Sequence, residues 1–93
     1  MGSAMTADEV TRGALQLKAA ADTILRSYPK DTYARVFFEA GELLAGNPDP
    51  KSPESRWLRS AIGVWVVKDM EDSNLPSMYD ALMTLASRLA APD

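Results

Sequence analysis

The chain has 93 residues, 46% of them apolar and 25% charged, and a net charge of −3, the balance of one globular domain. It contains no Cys and no His, which excludes a disulfide framework, thiolate or imidazole metal sites and the commonest general base. The charge has the wrong sign for a surface that tracks phosphate, and no apolar run approaches the ~20 residues that span a bilayer.

The stretch MGSAM reads as an expression remnant followed by Met5, so residues 1–4 are set aside and a single helical domain is expected over 5–93. No basic segment leading into an apolar one follows Met5, so no signal peptide and a cytoplasmic location are expected. Richness in Ala, Arg and Asp suggests a bacterial source.

The first element opens with TADEV, where Thr6 and Glu9 have the spacing of a capping box. Val10, Ala14, Leu17, Ala21, Ile24 and Tyr28 then recur every three or four residues, the stripe of an amphipathic helix. Pro29 disfavours helical geometry at Tyr28, so the spacing predicts a helix over 7–27. Asp31 is a good N-cap for a second helix over 32–45. There Tyr33, Val36, Phe37, Ala40, Leu43 and Leu44 form one stripe. Ala34, Phe38, Gly41 and Ala45 form a second, of mostly small residues that admit close approach. Gly46 is a natural stop at the C′ position.

The segment GNPDPKSP is the one extended loop. Ser52 caps the next element, Pro53 fits its first turn, and Glu54 suits the positive end of the helix dipole. The most apolar stretch of the chain follows: six of the seven residues from Ala61 to Val67 are apolar, three of them Val. As a strand it would be apolar on both faces and would need cover and pairing on every side. No other segment has strand patterning, so its backbone groups would go unpaired. As a helix, Trp57, Leu58, Ala61, Ile62, Val64, Trp65 and Val66 make one arc of roughly 200° by the 100° step. β-branching costs only a few tenths of a kcal/mol per residue, less than several unpaired peptide groups. A helix over 53–69 is therefore expected, with an apolar arc too wide for one side of a small bundle. The last helix is expected over 75–90, with Ser73 or Asn74 as cap, Pro76 in the first turn and a heptad seam of Leu75, Met78, Leu82, Leu85 and Leu89. Four such helices make an all-α, antiparallel four-helix bundle, with mostly local contacts and so fast folding.

Chemical motifs are poor. Asp69, Glu71, Ser73 and Asp80 fall on positions 1, 3, 5 and 12 of a calcium loop, but Asn74 replaces the turn glycine and Pro76 interrupts it. The reading preferred is an acidic turn with a cap. Ser27 and Lys30 match S-x-x-K, but Ser27 ends a helix in a chain too small for the deep cleft that chemistry needs. Glu39 and Glu42 share a helix side, yet a bundle di-metal site wants Glu-x-x-His. They read as a solvated face. Helix 4 has only Arg88 as a cation, which argues against a recognition helix on DNA.

Arg and Trp are enriched at binding hot spots, and Arg56, Trp57 and Arg59 cluster at the start of helix 3, with Trp65 further along it and Phe38 on the second face of helix 2. The sequence therefore predicts a non-enzymatic interaction module such as a regulator, an adaptor or a phage-type inhibitor. It would bind a protein partner, form a homodimer, or both, through helices 3 and 4, with Phe38, Arg56, Trp57, Arg59 and Trp65 as contact residues. No cofactor, metal, membrane or nucleic acid is expected. The alternative is a carrier or sensor of an apolar small molecule held between the helices, lined in part by Met.

Overall fold

The computed structural model describes residues 5–70 and 74–90, and Asp69 by its backbone alone. Among the described residues the fold is all-α, with four helices: α1 (Ala7–Ser27), α2 (Thr32–Gly46), α3 (Pro53–Trp65) and α4 (Asp80–Ala90). A π-helical turn, Val66–Met70, continues α3, and a 3₁₀ turn, Ser77–Tyr79, leads into α4.

Local chemistry sets the first three starts. Thr6 Oγ1 accepts from the Glu9 amide at 3.2 Å while Glu9 Oε1 accepts from the Thr6 amide at 2.9 Å, a complete capping box. Asp31 Oδ2 accepts from the Ala34 amide at 3.0 Å, and Ser52 Oγ from the Ser55 amide at 3.1 Å. Caps of this kind contribute about 1 kcal/mol each.

Three ends differ from expectation. Gly46 is the last residue of α2 rather than a left-handed stop, and no described glycine has a positive φ. The Asn47 amide instead donates to Leu44 O at 3.1 Å, tightening the last turn. α3 keeps α geometry only to Trp65, not to residue 69. There the β-branched Val64, Val66 and Val67 crowd the preceding turn, and the ladder loosens into a π turn that places Met70 wholly in the core. α4 begins at Asp80 rather than 75. Pro76 precedes a 3₁₀ turn in which the Tyr79 amide donates to Pro76 O at 3.1 Å. Ser73, one of the expected caps, lies outside the described residues.

Packing is closest between α1 and α2. Val10, Ala14, Leu17 and Ala21 are fully buried, with Ala34, Phe37, Ala40 and Leu44 from α2. At Gly41 the two backbones nearly touch: a Cβ there would lie 2.8 Å from Ala14 O and 3.1 Å from the Lys18 amide nitrogen. This contact turns the small-residue stripe of α2 toward α1. It buries Ala34 and Gly41 and leaves Val36 and Leu43 exposed, against the expected stripe. Tyr28, also expected in a stripe, is exposed where Pro29 leads the chain away from α1.

α4 lies along α1 with contacts that fit an antiparallel arrangement. Gly13 meets Leu89 near one end, while Ile24 and Ser27 share a groove with Met78 and Leu82 at the other. The buried seam of this segment is Tyr79, Leu82, Ala86 and Leu89. Of the expected seam, Leu75, Met78 and Leu85 are only half-buried. The 3₁₀ turn alters the phase of the helix, and Tyr79 takes the inward position. Its hydroxyl donates to Asp31 Oδ1, and its ring stands edge-on to Tyr33 at 5.4 Å. Burial first, then the hydrogen bond to the Asp31 carboxylate, pushes the Tyr79 hydroxyl up to about 12. One carboxylate thus caps α2 and anchors the approach to α4.

Candidate functional site

α3 faces inward with an unexpected set of residues. Ser55 and Arg59 are buried, at 0% and 6% exposure, beside Leu58 and Ile62. Trp57, by contrast, is 66% exposed, and Val64 and Val67 stand out in solvent. By the 100° step, the buried face is turned roughly 75° from the centre of the apolar arc. Two contacts with α4 hold that rotation. Arg59 Nε donates to Leu89 O at 2.7 Å, occupying a carbonyl that the end of α4 cannot pair within itself. Gly63 faces Ala90 so closely that a Cβ there would lie 3.0 Å from the Ala90 Cβ. On its other side α3 meets α2 through Trp65, whose ring stands edge-on to Phe37 at 6.0 Å.

The rotation has a cost inside and a consequence outside. Inside, Ser55 Oγ is buried with no hydrogen-bond partner among the described residues. Outside, the solvent-facing side of α3 and its π turn presents Arg56, Trp57, Ser60, Val64, Val67 and Lys68. It is an apolar strip with a cation toward each end, and Glu54, also exposed, lies one turn before Trp57. Beside it, between α3 and the end of α4, runs an open groove of about 540 Å³ lined by Arg59, Ser60, Gly63, Val64, Val67 and Ala90 among others. The charge pattern is local. Between residues 51 and 68, Lys51, Arg56, Arg59 and Lys68 stand against Glu54, and the flanking sequence is acidic, with Asp49 before and Asp69, Glu71 and Asp72 after.

The expected contact residues divide into three groups. Arg56 and Trp57 lie on the open strip. Trp65 is half-buried against Phe37, and Arg59 is turned into the α3–α4 contact. Phe38 is half-buried at the α1–α2 side, where Lys18 Nζ sits 5.2 Å above its ring and pairs with Glu42 at 3.2 Å. The structure does not bring Phe38 to the α3 strip. Val64, Val67 and Lys68 belong to the strip and were not among the expected contacts. Val64 belongs to the broad apolar arc that periodicity shows, whereas Val67 and Lys68 lie outside it.

Other chemistry finds little support in the geometry. Of the calcium-loop residues, the Asp69 side chain, Glu71 and Ser73 lie outside the described residues. Among the described residues no three acidic groups are placed to hold a metal ion. Ser27 and Lys30 are exposed at the end of α1, and Glu39 is exposed on α2. No helix among the described residues is long and apolar enough to cross a membrane. No family model, curated protein or solved structure matches the chain.

Proposed function

We propose that this chain is a non-enzymatic interaction module that binds another protein through the outer strip of α3 and its edge with α4. One observation carries the reading: α3 buries a serine and an arginine while leaving Trp57 66% exposed. A helix free to rotate would gain about 25 cal/mol for each Å² of apolar surface it hid. Here one edge of the apolar arc, Trp57 and Val64, is left outside while Arg59 and Gly63 face α4, and an exposed aromatic flanked by arginine has the composition of a binding hot spot.

The test is partner capture from the native host with two baits, Trp57→Ala and Leu15→Ala. Leu15 is an exposed apolar residue of α1, at 51%, and serves as the control. A protein recovered with wild type and Leu15→Ala but lost with Trp57→Ala supports the reading. Equal recovery with both baits rejects it. Trp57→Ala should change stability by no more than about 0.5 kcal/mol, as surface substitutions do. A failure to fold would return Trp57 to the core.

A further inference from the structure

We draw no further inference here: the strongest candidate, the groove of about 540 Å³ between α3 and the end of α4 with the apolar strip beside it, is bordered by charges of both signs, Arg56 and Lys68 with Glu54, and nothing in the structure shows what covers it.

Discussion

The two halves of this bundle solve the same packing problem in opposite ways. α1 and α2 bring small residues to their contact and let the backbones meet at Gly41, with apolar residues filling the core beside it. α3 and α4 also approach through a glycine, Gly63. But they join through an arginine on a backbone carbonyl, bury a hydroxyl at Ser55 that has no partner among the described residues, and leave Trp57, Val64 and Val67 outside. Both halves leave apolar side chains in solvent: Leu15, Tyr28, Val36 and Leu43 in the first, Trp57, Val64 and Val67 in the second. What sets the second apart is that polar groups, Ser55 and Arg59, turn inward while an indole stays outside.

The contrast can be broken most directly at Gly41. Gly41→Ala should lower stability by about 1–3 kcal/mol in urea denaturation, because the atoms in the way are backbone and cannot swing aside. Only part of that loss would be offset by the better helix propensity of Ala. Gly63→Ala should cost less, since it meets a single methyl group at 3.0 Å. If the two substitutions cost the same, the α1–α2 contact is no tighter than the other.

A smaller effect tests the tie between the halves. Tyr79→Phe should cost about 1.5 kcal/mol by removing a hydrogen bond to a charged group. The pH dependence follows from the folded hydroxyl titrating near 12 against an ordinary 10.0. The folded state holds that proton more tightly, so the stabilisation is whole below about pH 10 and is lost as pH climbs through about 12. The advantage of wild type over Tyr79→Phe, followed by denaturation between those values, should shrink accordingly. A constant difference would mean that the hydroxyl titrates alike folded and unfolded.

The smallest effect has the opposite sign. Ser55→Ala removes a buried group that has no partner among the described residues and should raise stability by about 1 kcal/mol, visible as a higher urea midpoint. A loss instead would show that Ser55 Oγ is satisfied in solution. The gain would sharpen the view that α3 is placed for its outer face rather than for its inner one.

What the sequence made legible follows from range. Thr6 with Glu9, Asp31 with Ala34 and Ser52 with Ser55 are all three residues apart, so the caps could be read locally, and with them four helices and the all-α fold. The breadth of the apolar arc on α3 was legible too, because it depends only on a 100° step. Which part of that arc would be buried was not. That depends on Arg59 reaching Leu89, thirty positions on, and periodicity carries no trace of such a partner. The same holds for Tyr79, which displaces its neighbour Met78 from the seam because Asp31 lies 48 positions back. Val36 and Leu43 looked buried only because a wheel ranks residues by hydropathy. The approach of α1 ranked Ala34 and Gly41 above them.

The near-contact of backbones at Gly41 also limits how the molecule can change shape. With a carbonyl of one rod lodged against the next turn of the other, neither can swivel about its long axis without a collision, so the first two helices serve as a fixed bearing. Any adjustment to a visitor must be made by the third rod, whose pivot is one guanidinium and one glycine.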